Sequence, residues 1–115
     1  MEKNEENIPD ELAEISMKII MSAGDARLYV TESLKAVEQF DFTLAEEKLT
    51  QSKKKIAEAH NAQTEILQKE ISGDKIGYSV LFSHAQDTLM TVNSEYILAK
   101  ELVKVFASFY KKFDA

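Results

Sequence analysis

The chain has 115 residues, which is enough for one domain with a modest hydrophobic core and too few for two. Its formal charge of −6 disfavours binding to nucleic acid or to anionic lipid, because both attract proteins with surplus Lys and Arg. The chain contains no cysteine, which excludes disulfides, thiolate catalysis and cysteine-ligated zinc sites.

The first nine residues are polar and acidic and end at Pro9. We expect residues 1–9 to form a disordered lead-in and residues 10–115 to form one domain. The start of the chain lacks the basic and apolar segments of a signal peptide, and no apolar run approaches the roughly 18 residues of a membrane span. These features predict a cytoplasmic protein with no direct membrane insertion.

The first predicted helix covers residues 10–38. Apolar or small residues recur there at steps of three and four, which is the period of an amphipathic helix. Gly24 lies inside this helix, where glycine is unfavourable by about 1 kcal/mol relative to alanine, and we expect it either to allow the close approach of a neighbouring helix or to allow a mild kink. Residues 39–43 break the pattern, and Asp41 or Thr43 can cap the helix that follows.

The second predicted helix covers residues 43–71. Its core-facing positions alternate at steps of four and three but include small and polar residues, which favours close contact with another helix. Residues 72–77 form the clearest loop in the chain, and Gly73 is placed to end the second helix in the left-handed conformation.

The third predicted helix has the strongest pattern, with an apolar seam that begins at Tyr78 and continues to Phe113. Three long helices joined by short loops predict an all-α fold, an antiparallel up-down-up three-helix bundle. Further apolar residues lie off this seam, and an exposed apolar stripe favours self-association through the third helix. These off-seam residues are Val80, Leu81, Met90, Ile97, Leu98, Leu102 and Phe109.

The third helix also carries the residues with the most distinctive chemistry, His84 and Asp87. Helix positions three apart are neighbours on one face, so these two side chains stand together beside the seam. A neutral imidazole there is a candidate nucleophile, general base or metal ligand, because histidine titrates near neutral pH. The alternative is a half-buried structural histidine that bonds to a backbone group.

Asp87 is costly on a partly apolar stripe unless it is paired or bound to a cation. If the third helix self-associates, several copies of Asp87 converge, and they then need a hard cation such as Mg²⁺, shared protons or ordered water. The alternative is an exposed carboxylate paired with Lys100 or another base. His60 is interpreted as structural, and no nucleotide-binding, triad or di-iron motif indicates an organic cofactor or metal oxidation chemistry.

Four segments, taken together, resemble the lactose/cellobiose class of enzyme IIA from the bacterial phosphoenolpyruvate-dependent sugar phosphotransferase system. The resemblance extends over residues from about 12 to 110, and the family pattern around the histidine is His-Ala-Gln-Asp-His-Leu-Met. The four segments are residues 24–27 (Gly-Asp-Ala-Arg), 41–45 (Asp-Phe-Thr-Leu-Ala), 59–65 (Ala-His-Asn-Ala-Gln-Thr-Glu) and 84–90 (His-Ala-Gln-Asp-Thr-Leu-Met).

The resemblance implies a homotrimer assembled through the third helix and a phosphohistidine at His84. It implies that HPr donates the phosphoryl group and that the cysteine of a cognate IIB component accepts it, before the sugar is phosphorylated during transport through IIC. It also places Asp87 at the trimer centre with a divalent cation such as Mg²⁺. The identity of the disaccharide is not implied, because IIA does not contact the sugar.

The chain departs from the family pattern at Thr88, where a second histidine is common. Thr88 supplies only a hydroxyl, so we expect the change to tune the site, with Gln86, Thr88 or a neighbouring subunit contributing hydrogen-bond donors. Two alternative functions follow from the same residues. One is a non-catalytic trimerising helical adaptor, and the other is an assembly whose oligomeric state responds to Mg²⁺ through Asp87.

Overall fold

A computed structural model describes residues 7–114, with side chains from Asp10 onward. The described part is all-helical and contains three helices: α1 (Asn7–Glu38), α2 (Phe42–Ile71) and α3 (Val80–Asp114). They form the predicted three-helix bundle. Residues 1–6 of the predicted lead-in lie outside the described residues. Among residues 7–114, none of the three helices contains a continuous apolar stretch of the length that a membrane span requires.

Helix α1 begins at Asn7, three residues before the predicted start at Asp10. Pro9 is the third residue of the helix. Proline is tolerated there because the first N–H groups of a helix have no partner within it. The polar composition of the segment suggested disorder, but it does not prevent a first helical turn.

Helices α1 and α2 run antiparallel and pack closely along their lengths. Two buried serines account for the short separation, because each donates its hydroxyl hydrogen to a backbone carbonyl oxygen of the facing helix. Ser33 donates to Ala45 over 2.8 Å, and Ser52 donates to Ala26 over 2.9 Å. The small and polar seam of α2 therefore makes the close contact that the sequence predicted.

Helix α3 runs parallel to α1. An ion pair between Arg27 Nε and Glu95 Oε1 at 2.7 Å joins residues 68 positions apart and shows the register of the two helices. Core residues of all three helices meet in two clusters along the bundle, one around Ile19 and Leu89 and the other around Val30 and Val103.

The predicted seam of α3 is confirmed in the middle of the helix and wrong at both ends. The core-facing residues from Phe82 to Val103 are buried or half-buried, whereas Tyr78 precedes the helix and is exposed. Phe106 and Phe113 are also exposed. The register of Arg27 and Glu95 places the last residue of α1 beside Phe106, so the seam continues beyond the helix that would cover it.

The two connections end their preceding helices in the same way. Phe40 and Gly73 both have positive φ angles, 58° and 101°, and the residue after each donates its N–H to a carbonyl oxygen five positions earlier. This arrangement is the Schellman ending that glycine favours. Gly73 was predicted in this role, and Phe40 was not. Of the two predicted caps for α2, Asp41 is the one used, since its Oδ1 accepts the Leu44 N–H at 3.0 Å.

The expectation that Gly24 allows close helix packing is wrong. The position is exposed, and a Cβ added there would meet no atom within 4 Å. The close contact between α1 and α2 occurs on another face of α1, the one that carries Ala26 and Ser33. Within the described protomer, the glycine therefore has no packing role.

Candidate functional site

The site is built at the start of α3, where Ser79 fixes the helix end. The Phe82 N–H donates to Ser79 Oγ at 3.1 Å, and the Ser83 N–H donates to the Ser79 carbonyl oxygen at 3.0 Å. His84 is the fifth residue of the helix and lies in its second turn. The sequence analysis overlooked Ser79, although a serine three residues before the first core-facing aromatic is a recognisable capping signal.

His84 and Asp87 are both exposed. They are three positions apart in an unbroken helix, so the structure places them on one side of α3, as predicted. The imidazole is more exposed than a boundary position suggested. The register of α3 on α1 places His84 level with Ser16, a small buried residue whose hydroxyl donates to the Leu12 carbonyl oxygen.

The two predicted supporting residues differ in their relation to His84. Thr88 is half-buried, and its hydroxyl donates to the His84 carbonyl oxygen at 2.8 Å. The hydroxyl of Thr88 is therefore directed at the backbone of His84. Gln86 is also half-buried, but positions two apart in a helix do not face each other, so its amide lies on a different side of α3 from the imidazole.

Asp87 lies on an exposed side of α3 that carries both apolar and polar residues. None of the ion pairs found between described residues involves Asp87, so pairing with Lys100 is not seen. Within residues 7–114, no group of three or more His, Cys, Asp and Glu side chains is arranged to hold a metal ion. The same side of α3 carries the exposed apolar residues Val80, Met90, Leu98 and Val105 and also the exposed polar residues Ser83, Thr91 and Ser94.

His60, interpreted from the sequence as structural, is exposed on α2. It lines a groove of about 320 Å³ between α2 and α3, together with Lys53, Asn61, Asn93 and Tyr96. The run Lys53 to Lys55 spreads around the helix as expected, with Lys55 Nζ 3.3 Å from Glu58 Oε2. The structure therefore does not bring His60 to the side of α3 that carries His84.

The arrangement at α3 suits a simple chemical task. A single exposed imidazole on a rigid helix can present one ring nitrogen to another protein, and an exposed side chain needs no movement of the fold to be reached. Transfer of a phosphoryl group requires mainly positioning and charge stabilisation, with little covalent chemistry from the protein beyond the nucleophile. His84 meets the requirement for a nucleophile, whereas the stabilising charges must come largely from outside the protomer.

Comparisons with known proteins show which family the chain is similar to. The sequence profile of the family described as "PTS system, Lactose/Cellobiose specific IIA subunit" matches residues 14–107. The chain is similar to the lactose-specific EIIA component of the PTS system from Staphylococcus aureus, with 43% identity over 103 residues. That match covers 90% of this chain and 96% of the relative.

Solved structures show the same fold. The cellobiose-specific enzyme IIA of the PTS from Bacillus anthracis aligns with a TM-score of 0.82 at 35% identity, covering 86% of this chain and 91% of that structure. The IIA(Chitobiose) protein of Escherichia coli, solved in a complex with HPr, aligns with a TM-score of 0.71 at 34% identity. That alignment covers 90% of this chain and 97% of the other.

Proposed function

The chain belongs to the lactose/cellobiose-specific IIA family of the PTS system, and we propose that it carries a phosphoryl group on His84. In this proposal HPr donates the group and the cysteine of a cognate IIB component accepts it. The observation that carries the proposal is the exposed imidazole on the second turn of α3, which a donor protein can reach directly. The structure of a similar IIA protein in complex with HPr supports the choice of donor.

The transfer consists of two displacements at phosphorus. The unprotonated ring nitrogen of His84, which we assign as Nε2, attacks the phosphorus of phospho-HPr, and a P–N bond to His84 forms as the P–N bond to HPr breaks. The IIB thiolate then attacks the same phosphorus, so that a P–S bond forms and His84 leaves as neutral imidazole. A proton held on Nδ1 fixes the tautomer through both steps.

Charge stabilisation for the phosphoryl group must come from hydrogen-bond donors near His84. The field of the α3 N-terminus fades after the first turn and reaches the second turn weakly. Arg27 is already paired with Glu95 at 2.7 Å. We infer that the donors belong to HPr, to IIB or to another subunit, because the Thr88 hydroxyl donates to the His84 carbonyl oxygen and Gln86 lies on a different side of α3 from the imidazole.

The proposed assembly is a homotrimer formed through α3. Its support is the set of exposed apolar residues that lie on the same side of the helix as Asp87, namely Val80, Met90, Leu98 and Val105. One protomer offers a single exposed carboxylate there, so a divalent cation such as Mg²⁺ fits only where Asp87 side chains from three subunits converge. When bound, the cation would offset the mutual repulsion of these carboxylates. We expect the trimer to act in the cytoplasm.

The experiment that tests the function is phosphorylation with phosphoenolpyruvate, enzyme I and HPr. We expect one acid-labile phosphate per chain and no label on His84→Ala. The matched control is His60→Ala, since His60 is the other histidine of the chain and is also exposed. Equal labelling of His84→Ala would refute the assignment. A protein that assembles but accepts no phosphate would instead be the trimerising adaptor.

A further inference from the structure

A second group of polar side chains lies in the groove between α2 and α3. This groove has a volume of about 320 Å³ and follows the least extensive of the three helix contacts in the bundle. Its volume is at the lower end of the range for small-molecule sites. Neither the proposed transfer nor the proposed assembly uses its residues. The buried Ile56 belongs to the groove, and its polar lining is Lys53, His60, Asn61, Asn93 and Tyr96.

The polar groups of this lining are available to a ligand. The side-chain hydrogen bonds and ion pairs found between described residues all involve other side chains. Lys55, for comparison, lies 3.3 Å from Glu58. Tyr96 is half-buried and packs against both core clusters, so its ring has a fixed position although its hydroxyl has no partner among the described residues. The groove therefore presents an ammonium group, an imidazole, two amides and a phenol.

The two ends of the groove differ in charge. The register of the three helices places Asn93 level with Lys53, and His60 lies seven positions further along α2, about 10 Å away. No carboxylate lines the groove. The acids of α2 closest to it in sequence, Glu58 and Glu65, lie towards the end at His60. The Lys53 end therefore suits an anionic group, and the other end suits neutral hydroxyls.

The groove lies away from both features already described on α3. Successive helical residues are about 100° apart, so Asn93 is about 120° around the helix from Asp87 and about 180° from His84. A subunit packed on the side of Asp87 and a protein docked at His84 would both approach from other directions. A ligand can consequently occupy the groove in the proposed assembly.

We propose that this groove binds a small phosphate ester that also carries hydroxyl groups, such as a sugar phosphate. Lys53 and the amide of Asn93 would hold the phosphate, because an ammonium group and N–H donors form charge-assisted hydrogen bonds with its oxygens. The imidazole of His60 and the amide of Asn61 can each donate and accept, which suits hydroxyls. The ring of Tyr96 offers an apolar face to the carbon skeleton. This binding does not rest on the phosphoryl transfer proposed above.

The test is a titration of the full-length protein followed by NMR, with glucose 6-phosphate, glucose and inorganic phosphate as probes. We expect glucose 6-phosphate to shift the signals of the groove residues with a Kd of about 1 mM or tighter. Glucose and inorganic phosphate each lack one half of the ligand and should bind at least about 10-fold more weakly. Equally tight binding of inorganic phosphate would overturn the proposal, because the groove would then recognise only an anion. Absence of shifts in the groove at a glucose 6-phosphate concentration about 10-fold above that Kd would also overturn it.

Matched variants test the assigned residues. Lys53→Gln should weaken binding of glucose 6-phosphate by about 10-fold, because hydrogen bonds that involve a charged group contribute more than neutral ones. Lys54→Gln removes the same charge from the next residue, about 100° around α2, and should stay within about twofold of wild type. Asn93→Ala and its exposed neighbour Ser94→Ala form a second such pair. Equal losses in a variant and its control would refute the assignment.

A further comparison separates this proposal from the phosphocarrier function. His84→Ala should bind glucose 6-phosphate as wild type does, and Lys53→Gln should still accept phosphate from HPr. Loss of ester binding in His84→Ala would place the ligand at the phosphoryl-transfer site and overturn the proposal for the groove. Failure of phosphorylation in wild type, with binding in the groove retained, would contradict the phosphocarrier function alone.

Discussion

Thr88 donates its hydroxyl hydrogen to the carbonyl oxygen of His84 across 2.8 Å, one turn apart on α3. A threonine hydroxyl has one hydrogen to donate, so in this arrangement it is not available to the phosphoryl group that we place on the His84 ring. The backbone of His84 is held by this bond as well as by the helix. Thr88 therefore supplies no hydrogen-bond donor to the phosphoryl group, whereas a different residue at position 88 could supply one.

Two substitutions at position 88 test this arrangement. Thr88→Val removes the hydroxyl but keeps the shape, and we expect the rate of phosphorylation by phospho-HPr to stay within about threefold, because the bond lost is to the backbone. Thr88→His restores the family pattern and adds a ring donor, which should lengthen the half-life of the phosphohistidine. Rapid-quench labelling measures both quantities. A 10-fold slower Thr88→Val would mean that the hydroxyl turns to the phosphoryl group during transfer.

Asp87 determines the expected response of assembly to metal. If three copies converge at the trimer centre, removal of divalent cations leaves like charges close together and should loosen the trimer. Asp87→Leu removes the charges and extends the apolar side of α3, so its trimer should resist a chelator. Analytical ultracentrifugation with and without chelator measures the change. Asp74→Leu, an exposed acid in the loop before α3, is the control and should behave as wild type.

Replacement of Gly24 by alanine is expected to stabilise the fold. The position is helical, exposed and free of neighbours within 4 Å of an added Cβ, so Gly24→Ala should raise the free energy of unfolding by about 0.5–1 kcal/mol. Gly73→Ala is the contrasting variant, since φ at Gly73 is 101° and alanine there should lower stability by about 1–2 kcal/mol. Urea unfolding measures both. A Gly24→Ala protein that is more stable yet poorly phosphorylated would indicate that a partner approaches α1 closely at this position.

Phe40 holds a left-handed backbone conformation that glycine adopts more readily, and it gains a ring stack on Tyr110 in return. The two effects have opposite signs and similar sizes, about 1 kcal/mol each. We therefore expect Phe40→Gly to change the free energy of unfolding little in the wild-type protein. In Tyr110→Ala, where the stack is already lost, the same substitution should stabilise by about 1 kcal/mol. Additive effects in this double-mutant cycle would show that the two rings are not coupled.

Periodicity was sufficient to predict the three helices and most of the core. The seam residues Ala85, Leu89 and Val92 are buried, and Asp41 and Gly73 end or begin helices as their residue types suggest. These features depend on local sequence. The placement of His84 and Asp87 on one side of α3 was predictable for the same reason, because it follows from their spacing on one helix.

The errors concern features that depend on neighbouring elements. Phe106 continues the seam pattern of α3 but is exposed, because α1 ends beside it. The spacing of apolar residues in α3 carries no information about where α1 ends. A glycine inside a helix is found both at close helix contacts and on open faces, and the sequence around Gly24 does not distinguish the two. Phe40 was overlooked because a bulky residue in the left-handed region needs a tertiary contact to hold it, and that contact lies 70 residues further along the chain.

The serine hydroxyls that bind α1 to α2 have consequences for how the protein opens. Ser33 and Ser52 each bond a side chain directly to the facing backbone, whereas no such bond to α3 is found between described residues. Unequal attachment of this kind divides a fold into units of different local stability. In a protomer separated from its assembly, amide hydrogens of the α1–α2 hairpin should therefore exchange with solvent most slowly, and α3 should be the first helix to separate.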